Sequence, residues 1–582
     1  MKKLALLLIS GLMLTSCSDL LDTDPYDQFT KDNFFTSEAN VKLYANYFYN
    51  EFAGYGSGNG DFYFNYLNDD QGTTGTTQWT YTNVPATAGA WSTPYTEIRR
   101  ANILIEALPG ISSMSESAKA NWEGIARLYR GWQHFKLVRN YGDCYWVDKV
   151  LDVNDADVLY GERQSRNFVM DNVLADLNYA CEHITADADS RVAFNKYVAL
   201  AIKSRVCLFE GTYSKYVMND KARSDKYLTE AKNASLEIMN SKKFALNGDF
   251  KSNFDQLNLA GNPEMIMYKH YELGVLAHGT VDYTCGSTQV HGITKDAFDS
   301  YLFKDGKPKA STTCNKSEDG KIVEFDDMSG YGVQKFIDIS DVLAQRDPRL
   351  AAQVDYILQF PGCGYSRYGV IADPQFTGAQ RQAAQSTSAT GYGVLLFDTG
   401  VMKSSDRQST NTNTTDAPIF WYAEVLLNYA EACAELGTIT DSDLDKSINL
   451  LRDRVKMPHL ATSVAADPAN NMNVSNIIWE VRRERRVEMM YCLNDRYYSL
   501  QRWNKLSLLD TQKYPNQCRG AYVGNLKGTE GIDWSQVKVD EDGYINCKGT
   551  GAERIYDAKY LLLPIPNGQK TLNPAIGQNP GW

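Results

Sequence analysis

Six consecutive residues, 78–83, combine the two kinds of side chain that bind a sugar ring, reading Gln-Trp-Thr-Tyr-Thr-Asn. The rings of Trp79 and Tyr81 can cover the apolar C–H face of a pyranose or furanose, and the amide of Asn83 can pair with hydroxyl groups at its rim. Because these three residues lie two apart, an extended segment would turn all three side chains to the same side. The spacing therefore predicts a small platform for successive sugar units. The alternative is that Trp79 packs against the protein and pins the loop.

Three further tyrosines are candidates for ligand contact, because glycine, cysteine or small polar residues flank each of them. They are Tyr283, Tyr365 and Tyr368. All three lie in a long segment without helical periodicity, and such loops often carry function. Trp91 is a weaker candidate, because its spacing to Tyr95 and Ile98 is that of a packed helix.

Signatures of catalysis are weak. The sequence has no His-Glu-x-x-His, no Gly-x-Ser-x-Gly and no phosphate-binding glycine loop. The pairs Asp69-Asp70 and Asp326-Asp327 lie in loops, where two carboxylates could flank a glycosidic bond. However, 71 acidic residues make chance pairs certain. We therefore expect no catalytic residue.

Two other groups of charged or titratable residues are expected to be structural. His270, His278 and His291 could ligate a metal, but they form no recognised metal motif. The dense charges of Arg482–Glu488 fit ion pairs along a helix and contacts to neighbouring helices. We therefore expect neither a metal nor a cofactor.

The N-terminal residues predict a lipid anchor. Met-Lys-Lys precedes an apolar run, Leu4–Leu14, and then Leu-Thr-Ser-Cys ends at Cys17. As a helix the run would span about 16 Å, roughly half of a bilayer core, so we interpret residues 1–16 as a signal peptide that is removed. Cys17 would then carry acyl chains on a membrane outside the cytoplasm. The alternative is an ordinary secretory signal with a chance cysteine.

Composition limits the possible partners. The chain has 582 residues, 43% of them hydrophobic and 22% charged, as in a folded globular protein. A net charge of −12 argues against a nucleic-acid partner and against electrostatic binding to anionic lipid. Without Cys17, ten cysteines remain in a compartment that permits disulfides, and the sequence does not show which of them pair.

Apolar residues recur at helical spacing in nine segments. These segments are 37–52, 91–108, 119–141, 166–184, 195–212, 225–241, 419–437, 442–456 and 474–503. The pairs 197–212 with 225–241 and 419–437 with 442–456 resemble tetratricopeptide hairpins, which need stacked neighbours to bury their apolar faces. Between them, residues 245–418 show little helical pattern, with hairpin-like alternation near 280–293 and 392–403. The pattern predicts a helical scaffold that carries a large irregular loop region.

Four segments together resemble the SusD/RagB family of Bacteroidetes outer-membrane lipoproteins. They are Arg127–Asp148 (RLYRGWQHFKLVRNYGDCYWVD), Pro418–Glu435 (PIFWYAEVLLNYAEACAE), Ile477–Trp503 (with RRERRVEMMYCLNDRYYSLQRW) and Tyr560–Trp582 (YLLLPIPNGQKTLNPAIGQNPGW). The resemblance covers essentially the whole chain. Trp421 stands where the family usually has an arginine, so the contact of that arginine is not carried over.

This resemblance implies a mainly α fold, with tetratricopeptide-like helical hairpins, short β-hairpins and irregular loops. Residues 17–582 would form a single domain, with ligand-binding loops mainly in 54–90 and 245–418. The implied role is non-enzymatic capture of an oligosaccharide at the cell surface for a TonB-dependent transporter of the SusC/RagA type. Capture of a peptide or glycopeptide is the first alternative; the others are a surface glycan-degrading enzyme and a structural lid that touches no ligand.

Overall fold

The computed structural model describes most of the chain. The described residues are 34–56, 60–63, 67–185, 191–285, 291–327, 332–360, 362, 371–372, 380–381, 388–402, 406, 411–548 and 553–582. Cys17 and the predicted signal peptide lie outside these ranges. Within them, no helix combines the length and apolarity that crossing a bilayer requires.

Helices form most of the scaffold. The α-helices are α1 (Glu38–Ala45), α2 (Gly89–Ala107), α3 (Glu116–Tyr141), α4 (Ala156–Leu159), α5 (Arg166–His183), α6 (Lys196–Tyr213), α7 (Lys221–Ser241), α8 (Thr280–Cys285), α9 (Lys295–Ser300), α10 (Ser340–Leu343), α11 (Pro348–Gln353), α12 (Tyr422–Glu435), α13 (Asp441–Asp445), α14 (Ile448–Arg454), α15 (Asn476–Glu488), α16 (Asp495–Arg502) and α17 (Asn567–Leu572). The mainly α fold predicted from the sequence is confirmed.

Side-chain caps fix where the long helices begin. The hydroxyl of Ser115 accepts a hydrogen bond from the N–H of Ala118 ahead of α3. The side chain of Asn195 accepts from the N–H groups of Tyr197 and Val198 ahead of α6. These caps satisfy backbone donors that the first turn of a helix leaves free.

The helices pack in sequence order around one large core. α2 packs on α3, α3 on α5, and α6 with α7 forms the predicted helical hairpin. Gly211 allows close approach within this hairpin, because an added Cβ would stand 2.7 Å from Leu228 Cγ. α12 packs against α6, α7 and α15, and so joins the two halves of the sequence.

The strands are short and lie mostly between α7 and α12. They are β1 (Gln71–Gly72), β2 (Met265–Lys269), β3 (Gly292–Ile293), β4 (Lys321–Asp327), β5 (Gly332–Asp338), β6 (Val354–Gln359), β7 (Ile371–Ala372), β8 (Gln380–Arg381), β9 (Gly391–Val394), β10 (Ala417–Trp421), β11 (Arg519–Tyr522) and β12 (Tyr544–Asn546). β4, β5, β6 and β9 form an antiparallel sheet in that order. The other strands pair antiparallel as β1–β3, β2–β10, β7–β8 and β11–β12.

The helix predicted over 419–437 starts later than its sequence pattern suggested. Residues 419–421 belong to β10, which pairs with β2, and α12 starts only at Tyr422. Trp421, at the end of β10, is almost completely buried. The prediction was wrong here because pairing with a distant strand decided the backbone, and local periodicity does not record that partner.

The single helix predicted over 474–503 is broken into α15 and α16. Between them Tyr491 and Leu493 adopt φ values of 65° and 57°, which a continuous helix does not allow. Two backbone hydrogen bonds hold this turn: Tyr63 N–H donates to the Tyr491 carbonyl at 2.8 Å, and Leu493 N–H donates to the Asp61 carbonyl at 2.6 Å. Contact with the first long loop, which lies within residues 54–88, therefore breaks the helix.

The alternation near 280–293 is not a hairpin in the described residues. Residues 280–285 form α8, and residues 292–293 form β3, whose partner is β1 in the first long loop. The alternation near 392–403 includes β9, which pairs with β6. In both cases the strand partner lies far away in the sequence, so the local pattern did not show it.

Candidate ligand-binding site

Two aspartates hold the first long loop against the helices. The carboxylate of Asp69 accepts hydrogen bonds of 2.7 and 2.6 Å from Arg496, and Asp70 accepts one of 2.7 Å from Arg486. Burial raises the pKa of Asp70 to about 6. Burial also opposes ionisation of Asp69, but Arg486 and Arg496 outweigh it and hold the pKa of Asp69 below its usual value. This acidic pair is occupied by arginines and anchors the loop.

Trp79 is packed into the protein. Trp79 is only 6% exposed. Its ring stacks on the ring of Tyr560, with the centroids 4.4 Å apart and an angle of 9° between the two planes. Its Nε1 donates to the carbonyl of Ile555 at 2.8 Å. The surrounding buried cluster consists of Leu67, Met472, Leu500, Trp503, Leu506, Leu508 and Leu509. The Tyr560 ring already covers one face of the Trp79 ring. This geometry favours the alternative interpretation, in which Trp79 packs against the protein and holds the loop in place.

Tyr81 and Asn83 are more accessible than Trp79. Tyr81 is partly buried and packs against the main core, whereas Trp79 packs in a separate cluster. Asn83 is exposed. The carbonyl of Pro85 then accepts a hydrogen bond of 2.9 Å from the N–H of Asn567, which ties the loop to the C-terminal segment. The rings of Trp79 and Tyr81 therefore contact different parts of the protein. The exposed amide of Asn83 is available to a ligand.

The remaining predicted contacts are placed only in part. Tyr283 lies on α8, partly buried against the main core. Tyr365 and Tyr368 lie outside the described residues. Ligand contact by these tyrosines stays a prediction.

The charged segment Arg482–Glu488 is confirmed as structural. Glu431 of α12 accepts hydrogen bonds from Arg485 Nε at 2.7 Å, from Arg502 Nη2 at 2.9 Å and from Trp503 Nε1 at 2.9 Å. Burial raises the pKa of Glu431, but Arg502 and Arg485 outweigh it and lower the pKa to about 2. These ion pairs join α12, α15 and α16.

A polar cavity of about 420 Å³ lies where α3, α6 and α12 meet the turn between α15 and α16. This volume falls within the range of small-molecule pockets, about 300–1,000 Å³. Its apolar wall consists of Phe52, Trp132, Phe135, Leu208, Phe209, Ile419 and Leu493. Its polar wall consists of Glu51, Asp61, Lys136, Arg139, Arg205, Glu424, Asn428, Arg485, Asn494, Asp495, Tyr498, Ser499 and Arg502. We call it the Arg139 cavity.

Ion pairs occupy most of the charged wall. Lys136 lies 2.6 Å from Glu51, and Arg205 donates two hydrogen bonds of 2.7 Å to Glu424. Asp61 accepts a hydrogen bond of 2.8 Å from a backbone N–H, and burial raises its pKa. The wall is therefore largely fixed in position before any ligand enters.

Sequence reasoning missed this cavity, although one signal was present. Phe135 and Arg139 are four residues apart, so Arg139 continues the apolar face of the predicted helix. A charged side chain on such a face needs a partner or a cavity. The pattern does not show which, because the other walls come from distant parts of the chain.

The histidine group does not assemble into a metal site. His278 is buried, its Nδ1 accepts from the N–H of Thr280 at 3.2 Å, and its Nε2 lies 2.9 Å from the Thr415 carbonyl. Burial lowers the pKa of His278 to about 3. Across the described ranges, no three His, Cys, Asp or Glu side chains are placed to hold a metal ion. Eight cysteines of the described residues are unbridged: Cys144, Cys181, Cys207, Cys314, Cys433, Cys492, Cys518 and Cys547.

Comparison with known proteins gives relatives along the whole chain. A SusD-like protein of Bacteroides ovatus is 24% identical, over 99% of this chain and 97% of its own length. A SusD-like protein of Formosa agariphila is 23% identical, over 86% of this chain and 90% of its own length.

Solved structures share the fold. The crystal structure of a SusD-like carbohydrate-binding protein of Bacteroides fragilis matches 94% of this chain and 100% of its own, with a TM-score of 0.67 at 20% identity. A structure solved with a xylogluco-oligosaccharide matches 94% of this chain and 96% of its own, with a TM-score of 0.56 at 17% identity.

Two family models match the sequence. One, described as starch-binding and associating with the outer membrane, covers residues 19–208. The other, the SusD family, covers residues 257–582, which is more than half of the chain. This chain therefore belongs to the SusD family.

Proposed function

We propose that this protein is a cell-surface lipoprotein that captures an oligosaccharide and delivers it to a TonB-dependent transporter of the SusC/RagA type. Removal of residues 1–16 leaves Cys17 as the lipid anchor in the outer membrane. The protein binds its ligand without cleaving it.

The observation that carries this proposal is the match of the SusD family to residues 257–582. One structural neighbour is described as carbohydrate-binding, and another was solved with a xylogluco-oligosaccharide. The family description for residues 19–208 names association with the outer membrane. These relatives support a glycan over a peptide as the ligand.

The contacts in this proposal come from a surface that we call the loop face, which carries Tyr81, Asn83 and Tyr283. Tyr81 and Asn83 contact the sugar from the first long loop, and Tyr283, Tyr365 and Tyr368 are further candidate contacts. Trp79 fixes the loop on which Tyr81 and Asn83 stand, because its ring stacks on Tyr560. Sugar contact by the Trp79 ring itself stays a prediction.

A panel of oligosaccharides and peptides tests capture. Calorimetry should show binding of at least one oligosaccharide, and chromatography of the same mixture after long incubation should show no shortened product. Shortened glycans would contradict the non-enzymatic role. Binding confined to the peptides would favour the alternative ligand class.

The lipid anchor is tested by Cys17→Ala. Loss of the acylated cysteine should move the protein from the membrane fraction to the soluble fraction, with an unchanged melting temperature. If the variant stays with the membrane through a high-salt wash, the anchor lies elsewhere.

The partner is tested by affinity purification from membranes solubilised in mild detergent. A stable interface buries about 1,200 Å² or more in total, so the complex should survive purification. We expect a much larger outer-membrane protein to co-purify. Recovery of the lipoprotein alone, under conditions that preserve other lipoprotein–barrel pairs, would contradict the partnership.

A further inference from the structure

We propose that the Arg139 cavity binds a small molecule that carries both a carboxylate and hydroxyl groups, such as a uronic acid. The site is separate from the loop residues 78–83 and from Tyr283, none of which line it. A test of ligand binding in the Arg139 cavity is therefore independent of a test of glycan capture by the loop face.

Arg139 forms no ion pair with a described residue, whereas the other cations of the cavity do. Those cations are paired as Lys136 with Glu51, Arg205 with Glu424, and Arg485 and Arg502 with Glu431. By contrast, the Nε of Arg139 is buried without a hydrogen-bond partner among the described residues. A buried N–H group without a hydrogen-bond partner is costly, so a bound carboxylate that accepts from it would offset that cost.

The surroundings of Arg139 orient it for a carboxylate. Its guanidinium carbon lies 3.6 Å from the centroid of the Tyr498 ring and 5.4 Å from that of Phe135. Stacking uses the faces of the guanidinium and leaves its in-plane N–H groups to donate. Two parallel N–H groups match the two oxygens of a carboxylate. Burial lowers the pKa of Arg139, but an arginine stays charged because its ordinary pKa is above 12.

Asn494 supplies an acceptor for a hydroxyl group. Its Oδ1 is buried and has no hydrogen-bond partner in the described structure. The residue adopts a φ of 51° in the turn that separates α15 from α16, so the turn fixes its position. The rings of Trp132 and Phe135 line the same cavity and can cover the apolar face of a sugar.

Solvent reaches the polar side of the cavity. The side chains of Lys136, Arg205 and Asp495 keep 23%, 21% and 19% of their surface exposed. These three residues form the rim through which a polar ligand would enter. A volume of about 420 Å³ admits a monosaccharide-sized ligand.

Calorimetry on the full-length protein in detergent tests the proposal with three probes. D-glucuronate carries the carboxylate and the hydroxyls, D-glucose lacks the carboxylate, and L-lactate carries a carboxylate on a small hydroxy acid. We expect glucuronate to bind more tightly than glucose. Lactate binding as tightly as glucuronate would support the carboxylate site and assign it to small hydroxy acids, whereas weaker lactate binding assigns it to acidic sugars.

Arg139→Gln should weaken glucuronate binding at least tenfold and remove the preference over glucose. The matched control is Arg127→Gln on the same helix, since Arg127 pairs with Glu123 outside the cavity. The control should bind glucuronate as the unchanged protein does. Equal binding by Arg139→Gln and the unchanged protein, or an equal loss in Arg127→Gln, would overturn the proposal.

Asn494→Gly provides a second variant that does not depend on Arg139. Glycine adopts positive φ readily, so the turn should persist while the acceptor is lost. We expect glucuronate binding to weaken severalfold with a melting temperature within a few degrees of the unchanged protein. Full affinity in this variant, or failure of the unchanged protein to bind any carboxylate probe, would contradict the site.

Discussion

Arg485 and Arg502, which we call the paired group, differ from Arg139 in what their guanidinium groups contact. Arg485 and Arg502 are buried and share the carboxylate of Glu431, so their charges are neutralised inside the protein. Arg139 stacks on Tyr498 but has no carboxylate at ion-pair distance among the described residues. The paired group joins helices, whereas Arg139 lines a cavity and its Nε has no hydrogen-bond partner among the described residues.

The difference teaches that a dense run of charge is a poor guide to a binding site. Buried charges are usually paired, and the pairs hold the fold together. An isolated charge beside a cavity is the more informative feature, because its partner is missing. The same distinction separates Trp79, whose ring and N–H are both engaged, from Asn83, whose side chain is exposed.

The strongest test of the paired group is Glu431→Ala. Removing this carboxylate leaves Arg485 and Arg502 buried without compensation, and we expect a loss of about 3–5 kcal/mol in the free energy of unfolding. Urea denaturation measures it. Glu116→Ala is the control, because its side chain is 90% exposed and should change stability by less than about 0.5 kcal/mol. A similarly small effect for Glu431→Ala would mean that the buried network is dispensable.

Trp79→Ala tests the packing of the first long loop. Loss of a buried tryptophan should lower the free energy of unfolding by about 3–5 kcal/mol, because the stack on Tyr560 and the bond to Ile555 are both lost. Thermal melting measures the effect. If the melting temperature is unchanged and oligosaccharide affinity falls at least tenfold, Trp79 contacts sugar as the sequence pattern suggested.

A histidine buried between two backbone groups should make stability depend on pH. Nδ1 of His134 donates to the Arg130 carbonyl at 2.9 Å, and Nε2 accepts from the Val147 N–H at 3.1 Å, so the neutral ring is satisfied. Burial lowers the pKa of His134 to about 3, whereas the unfolded value is about 6.5. The contribution of His134 to the free energy of unfolding is therefore complete above pH 6.5. It decreases as the pH falls from there towards the pKa of His134 in the folded protein.

At pH 5 the free energy of unfolding should be lower by about 2 kcal/mol because of His134. Denaturation at pH 7 and pH 5 should show a smaller pH effect in His134→Gln than in the unchanged protein. Identical pH effects in His134→Gln and in the unchanged protein would show that His134 is not neutral in the folded state.

Tyr81→Ala is expected to have the smallest effect on the fold, because Tyr81 keeps accessible surface. Affinity for the oligosaccharide should fall at least tenfold, about 1.4 kcal/mol, since aromatic contacts at binding sites are often hot spots. The melting temperature should change by only a few degrees. Unchanged calorimetric affinity would remove Tyr81 from the ligand-binding surface.

Most helices could be predicted because their evidence is local. The apolar spacing at 119–141 and 195–212 predicted α3 and α6 to within a few residues. Capping side chains such as Ser115 and Asn195 lie in the sequence beside the helices that they start. The break between α15 and α16 could not be predicted, because its hydrogen bonds come from residues 61–63 at the other end of the chain.

The candidate site likewise has features that the local sequence predicts and features that depend on distant contacts. The sequence placed Tyr81 and Asn83 in a loop, and the structure leaves surface on both. It could not show that Trp79 would stack on Tyr560, since the two rings are separated by most of the chain. Nor could it show the Arg139 cavity, whose walls come from several distant segments.

The sequence by itself determined the helical scaffold, the predicted anchor at Cys17 and the family resemblance, because each depends on the types and spacing of nearby residues. Tertiary structure alone decided which charged groups are paired and which aromatic rings are covered. Charge pairing and burial depend on contacts within a few ångströms, and the partners in these contacts come from distant parts of the chain. Arg139 shows this most directly, because its position on a helix face did not reveal that its Nε has no hydrogen-bond partner among the described residues.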